Sequence, residues 1–199
     1  MTHRFLALGD SYTIGEGVAA GERWPSRLAE LLRASRVDVA APEIVARTGW
    51  TTAELDAAIT DAAPRGPYDL VSLLIGVNDQ YRGATPAAYA PAFDGLLARA
   101  IGFAGGAPAR VLVLSIPDWG VTSYAEGRDR AAVGATIDAF NRVARAAVTA
   151  AGAHWVEVTD LSREPHDDWL AADGLHPSAA QYAQWAARAL PAASAALGY

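Results

Sequence analysis

The chain contains no cysteine and no lysine. Without cysteine there can be no disulfide, no thiolate nucleophile and no Cys-ligated zinc. The sixteen basic residues are therefore all arginine, and they are scattered along the sequence. A nucleic-acid binder carries its bases as a patch or stripe, so no nucleic-acid partner is expected. Arginine without lysine, beside abundant alanine, reads as genomic base composition rather than as function. Long apolar runs are missing too. The first, from Phe5 to Leu8, spans four residues, short of the roughly 7–15 that a signal peptide's apolar region needs. No stretch approaches the ~18 consecutive apolar residues of a membrane span. The expectation is a cytoplasmic protein with no membrane span.

What remains is rich in core material. Of 199 residues, 52% are hydrophobic and 19% charged, with a net charge of −6. A disordered chain shows the opposite balance. The length suits one domain over residues 1–199, and neither a repeat nor a linker interrupts it. Short, near-continuous apolar runs at Phe5–Leu8, Ile44–Ala46, Leu70–Ile75, Val111–Ile116 and Trp155–Val158 predict strands covered on both faces, as in a parallel sheet. Segments of helical period lie between them. Trp24, Leu28, Leu31 and Leu32 form one stripe; Leu55, Ala58 and Ile59 form another behind a Thr51-x-x-Glu54 capping box. A third helix is predicted from Thr85-Pro86, a fourth through Val133–Val148 to Gly152, and a last from Pro177 to about Leu190. Strands alternating with helices in this way predict an α/β sandwich of right-handed βαβ units.

In such sheets ligands bind beyond the carboxyl ends of the strands. There the sequence places Gly9-Asp10-Ser11-Tyr12-Thr13, Thr48-Gly49-Trp50-Thr51, Gly76-Val77-Asn78-Asp79, Pro117-Asp118-Trp119-Gly120 and, after the fifth strand, Asp173-Gly174-Leu175-His176-Pro177. Acyl transfer requires a nucleophile, a base, a group that orients the base and donors for the oxyanion. Ser11 stands at a strand-to-helix turn that exposes a hydroxyl. Of the histidines, His3 precedes the first strand, His154 opens the fifth, and His166 and His176 follow it. His176 alone has a carboxylate three residues earlier across a glycine, so that Asp173 can fold back to the ring. The backbone N–H groups of Ser11 and Gly49, with the Asn78 amide, make a plausible oxyanion hole.

Together these blocks resemble the GDSL (SGNH) hydrolases. They stand in that family's order and span residues 9–177, and Tyr12 occupies the place of the Leu in the family's name. The resemblance implies a flavodoxin-like three-layer α/β/α sandwich with a mostly parallel five-stranded sheet. It also implies a Ser–His–Asp hydrolase without cofactor, acting on a small-molecule ester. By motif, Ser11 is the nucleophile, Gly49 and Asn78 complete the oxyanion hole, and Asp173 and His176 complete the triad.

Each residue has a plainer role to weigh against this one. A serine after a strand is most often a helix cap, Asn78 could satisfy a turn, and Gly49 could serve only a left-handed backbone. Asp173 and His176 could bind metal, but no further ligands accompany them in sequence, and no metal is expected. Asp10 and Asp79 read as braces for their own loops, and Asp167 and Asp168 as solvated charges. Trp50, Tyr81, Trp119 and Tyr124 lie on rim loops as candidates for a substrate pocket, whereas Trp24, Trp155 and Trp185 read as core or core edge. Within hydrolases the rivals are a thioesterase, a lysophospholipase or a carbohydrate deacetylase; an acyltransferase would use an alcohol in place of water. A flavodoxin-like binding module without catalysis is a different class. It would use the Gly- and hydroxyl-rich loop 9–17, which lacks the lysine of a phosphate-binding loop and carries Glu16 against an anion.

Overall fold

A computed structural model describes residues 2–164, 166 and 168–199. Its strands are β1 (Phe5–Gly9), β2 (Glu43–Ala46), β3 (Leu70–Leu74), β4 (Val111–Leu114) and β5 (His154–Val156). They form one five-stranded sheet in the order β2-β1-β3-β4-β5, every pair parallel. The helices are α1 (Ser11–Ile14), α2 (Trp24–Ala34), α3 (Thr52–Ala62), α4 (Val77–Tyr81), α5 (Pro86–Phe103), α6 (Arg130–Ala151), α7 (Thr159–Arg163) and α8 (Ala179–Ala196). Helices α2 and α8 pack together on one side, and α5 packs against α3 and α6 on the other. The result is the flavodoxin-like three-layer sandwich that the family resemblance implies.

The apolar runs explain the layering. Every residue of β1, β3 and β4 is buried, which is why these runs show no alternation: both faces of a central parallel strand lie under helices. Trp24, Leu28 and Leu32 of α2 and Trp185, Ala186 and Ala189 of α8 are sealed between helix and sheet. Thr51 and Glu54 form both halves of the capping box, and Thr85 caps α5 with Pro86 in its first turn.

Two helix boundaries differ from expectation at the carboxyl end. α8 begins two residues after Pro177, because Ser178 caps it by accepting from the Gln181 N–H at 3.3 Å. Pro177 instead pairs with Leu170 in an antiparallel bridge. The helix also runs on through Pro191 to Ala196. The proline forfeits one backbone bond, but Ala189 and Ala193 on either side of it are fully buried, and that packing carries the helix past it. The short helices α1, α4 and α7 have no counterpart in the apolar periodicity, since four or five residues cannot display a helical period.

The chain runs from β1 to β2 on one side and then returns to β3 on the other, so strand order reverses at β1. A crevice opens at such a switch point beyond the carboxyl ends. Gly9 sits at this junction, where Thr13 and β3 press against the strand end. A Cβ there would stand 2.5 Å from the Leu74 carbonyl oxygen and closer still to the Thr13 hydroxyl. Overpacking of this kind costs about 1–3 kcal/mol. Gly9→Ala is therefore expected to lower the unfolding free energy by that amount, seen as a lower urea midpoint with an unchanged slope; equal midpoints would show that the junction yields without cost.

Candidate active site

Asp10 closes β1 and caps α1, its Oδ1 accepting from the Tyr12 N–H at 3.0 Å. Ser11 is thereby fixed as the first residue of α1. It is only 4% exposed, yet its hydroxyl has no partner among the described residues and is not among the sealed, unpaired polar atoms. The Ser11 hydroxyl thus keeps some contact with solvent.

Asp173 and His176 meet as their spacing predicts. His176 Nδ1 lies 2.6 Å from Asp173 Oδ2, while Asp173 Oδ1 accepts from the N–H groups of Leu175 and His176 at 2.9 and 3.0 Å. Burial works to raise the Asp173 pKa, but the His176 ring and these two backbone donors outweigh it, holding the carboxyl below its ordinary range. An ionised Asp173 accepts the proton on Nδ1 and leaves Nε2 as the basic nitrogen. Gly174 makes the turn possible, with φ +67° and the Ser123 hydroxyl where a Cβ would project. The loop is clipped to the preceding segment, Ala171 N–H donating to the His176 carbonyl and Ser178 N–H to that of Trp169. His176 is 8% exposed, and the Tyr12 ring packs edge-on against it at 5.8 Å.

Three side chains of the α4 region brace the Gly49 loop. Asn78 Nδ2 donates to the Trp50 carbonyl at 2.9 Å. Asp79 accepts from the Thr52 N–H and hydroxyl at 3.0 and 2.6 Å. Arg82, which follows α4, donates to the Gly49 carbonyl at 2.7 Å and pairs with Glu54 at 3.2 Å. Gly49 has φ +88° in the turn closed by the Trp50 N–H and the Arg47 carbonyl. A Cβ there would touch nothing, so the glycine answers a backbone requirement and not a shortage of space. The N–H groups of Ser11 and Gly49 take no partner among the described residues. One N–H of the Asn78 amide holds the loop, and the second is left over, since the amide has two donors.

Gly49, Asn78 and His176 line one cavity of about 160 Å³, together with Tyr12, Tyr81, Trp119 and Tyr124. From the first five-residue block Tyr12 lines this cavity; Ser11, the residue before it, is not among the lining residues, and its hydroxyl makes no hydrogen bond to His176. Trp50 is not among the lining residues; it enters the site through its carbonyl alone. Trp169 is buried against a different groove. Trp24 and Trp185 are fully buried and Trp155 half-buried. Asp168 is exposed and lies 3.1 Å from His166, and Asp167 falls outside the described residues. Among the described residues no group of three or more His, Asp or Glu side chains converges as metal ligands would. No helix among the described residues is long and apolar enough to cross a membrane.

Sequence reasoning overlooked Tyr12 as a lining residue, although its place directly after Ser11 could have suggested it. It also overlooked Arg82, which nothing in the sequence distinguishes from the other arginines. Asp118 is a buried anchor: its carboxylate accepts from the Gly120 N–H at 2.8 Å and from Arg163 Nε at 2.9 Å, holding the Trp119 turn.

A parallel α/β/α sandwich with serine, glycine, asparagine and an Asp–His pair on the rim at its reversal point has the architecture of an acyl hydrolase. The sequence pattern of the GDSL-like lipase/acylhydrolase family matches residues 7–184, and the chain belongs to that family, whose members are carboxylic ester hydrolases. No curated protein matches the chain significantly. Among solved structures, TesA superposes with a TM-score of 0.75 at 22% identity, covering 95% of this chain and 97% of TesA. The lipase/acylhydrolase from Enterococcus faecalis gives 0.72 at 20% identity, covering 96% and 94%. Axe2, an acetylxylan esterase from Geobacillus stearothermophilus, gives 0.70 at 18%, covering 99% and 94%. At these identities the likeness is one of fold.

Asp10 is the unusual electrostatic feature. It is fully buried, and its Oδ2 has no partner among the described residues. Burial, opposed by the Tyr12 N–H and helped by the charge of Asp79, pushes its pKa from 3.8 up to about 8. A carboxyl raised in the folded state contributes stability below its unfolded pKa, and this is lost as pH rises through the folded value. Folding stability is therefore expected to fall between about pH 4 and 8 through this group. In Asp10→Asn, which keeps the Oδ1 acceptor, that fall should disappear from urea unfolding measured across the range. Parallel pH profiles for the two proteins would show that Asp10 is not the source.

Proposed function

We propose that the chain is a single catalytic unit that hydrolyses small-molecule carboxylic esters through an acyl-enzyme on Ser11. The observation that carries this reading is that His176, paired with Asp173, lines the same cavity as Gly49 and Asn78. In the first half-reaction His176 Nε2 takes the Ser11 proton as Oγ attacks the ester carbonyl. Asp173, held ionised, orients the ring and steadies the imidazolium. The carbonyl oxygen, now an anion, is received by the N–H groups of Ser11 and Gly49 and the spare N–H of Asn78. His176 returns the proton to the departing alcohol. Water, activated by the same ring, then attacks the acyl-enzyme and releases the acid.

Two features support the oxyanion assignment. The braces from Asn78, Asp79 and Arg82 hold the Gly49 loop before substrate arrives, and donors fixed in advance need no reorganisation as charge develops. Asp10, kept neutral by burial, sets no negative charge beside the forming anion. A phosphate-binding module would leave the Asp173–His176 pair without a role.

A fluorophosphonate probe should label the wild type at one site and fail to label Ser11→Ala. Folded wild-type protein that stays unlabelled by intact mass would overturn the nucleophile assignment. Asn78→Ala should lower kcat by ~10²–10³, about 2.7–4 kcal/mol, as expected for a lost oxyanion donor. Because that amide also holds the Trp50 carbonyl, Asn78→Asp is the companion variant: it keeps a polar group of the same size and removes both donors.

A further inference from the structure

The cavity at the reversal point is bounded on one side by a wall of three aromatic rings. Trp119, almost fully buried, forms its base. Tyr81 and Tyr124 pack edge-on against Trp119, with ring centroids at 5.5 and 6.3 Å. At the outer edge, where both tyrosines are nearly half exposed, their hydroxyls join at 3.1 Å. The wall is assembled from both ends of the site. Tyr81 lies three residues after Asn78 on α4, while Tyr124 is tied to the histidine loop by its N–H to the Gly174 carbonyl at 3.0 Å.

The wall is pinned from its far face. Arg128 lies over the rings of Tyr81 and Trp119, at 5.3 and 5.5 Å, and donates to the Tyr81 hydroxyl at 3.2 Å. Gln80 accepts from the Trp119 indole N–H at 2.9 Å. Arg128 and Gln80 do not line the catalytic cavity. They line a neighbouring open groove of about 410 Å³ with Asp129, Ala132, Val133 and Thr136. The tyrosine pair thus separates a small cavity from a larger trough.

We propose that this wall is the specificity determinant of the site and restricts the enzyme to esters of short acyl groups. The inference rests on the acyl-enzyme reading above. Between the two half-reactions the acyl group stays while the alcohol leaves and water enters. The walled side therefore suits the acyl group, and the open side at exposed Thr48 suits the alcohol. An apolar cavity of about 150 Å³ accommodates benzene, so the 160 Å³ here has room for about six heavy atoms, the reacting carbonyl among them. A longer chain must break the hydroxyl pair and displace rings held by Arg128 and Gln80. One methylene gained or lost in an apolar pocket already changes rates roughly 10–200-fold.

The test is a p-nitrophenyl ester series from acetate through butyrate and octanoate to decanoate, run on wild type, Tyr124→Ala, Tyr124→Phe and Arg128→Ala. For wild type, kcat/KM is expected to fall at least about tenfold from butyrate to octanoate. Tyr124→Ala opens the wall toward the trough and should raise the octanoate-to-acetate ratio of kcat/KM by about tenfold. Tyr124→Phe breaks only the hydroxyl pair, and Arg128→Ala removes only the pin; both should move the ratio the same way by a smaller factor. These two milder changes carry the test if Tyr124→Ala fails to fold. Wild type that cleaves octanoate and butyrate alike, or folded variants with the wild-type ratio, would overturn the proposal. Failure of the underlying reading looks different: no ester is cleaved and no fluorophosphonate is taken up. An enzyme that labels and turns over but keeps its ratio in every variant refutes the wall alone.

Discussion

Parallel pairing is the constraint on which the rest of this molecule depends. Two parallel strands cannot be joined by a tight turn, so each strand but the last must be followed by a crossover that returns the chain to the starting edge. Those crossovers become the helices on both faces of the sheet, and their presence is what buries β1, β3 and β4 completely. The same constraint brings every strand's carboxyl end to one edge. Residues separated by more than a hundred positions, such as Gly49 and His176, then line a single cavity.

Within that edge, rigidity comes from side chains that satisfy backbone groups. Asp10, Asp79, Asp118 and Asp173 each accept from backbone N–H groups, of Tyr12, Thr52, Gly120, and Leu175 and His176 respectively. Four acids in this way set the entry of α1, the Gly49 loop, the Trp119 turn and the histidine loop. A buried carboxylate is costly unless it is well paired. Asp118 meets that cost with Arg163, whereas Asp10 meets it by holding a proton. Two acids on one rim, Asp173 and Asp10, reach opposite protonation preferences through their surroundings. Asp173 is held ionised beside the ring it serves, and Asp10 stays neutral beside Ser11.

Much of the frame was legible because the interactions that set it are local or periodic. Near-continuous apolar runs marked the strands, the Thr51–Glu54 box marked the start of α3, and Gly152 marked the end of α6. The Asp173–His176 contact was legible for the same reason, since three residues and a glycine suffice to close it. The misreadings fall where tertiary packing overrides local preference. Pro177 could open a helix, but it is engaged in a bridge with Leu170; Pro191 could end one, but the buried alanines around it keep the helix intact. Trp50 sits on a rim loop like the other candidate aromatics, but it packs against the hydrophobic core and does not line the cavity.

The sequence by itself determined the order of strands and helices along the chain, the chemical types gathered at the rim and the pairing of Asp173 with His176. Each follows from apolar patterning or short-range chemistry, which act over a few residues. Only the tertiary structure decided what surrounds them. The strand order that sets β1 between β2 and β3, the arginine that grips the Gly49 carbonyl and the burial that neutralises Asp10 all arise from distant segments meeting. So does the meeting of Tyr81 with Tyr124 across 43 positions of sequence. Such meetings depend on how the layers pack, and no local pattern records them.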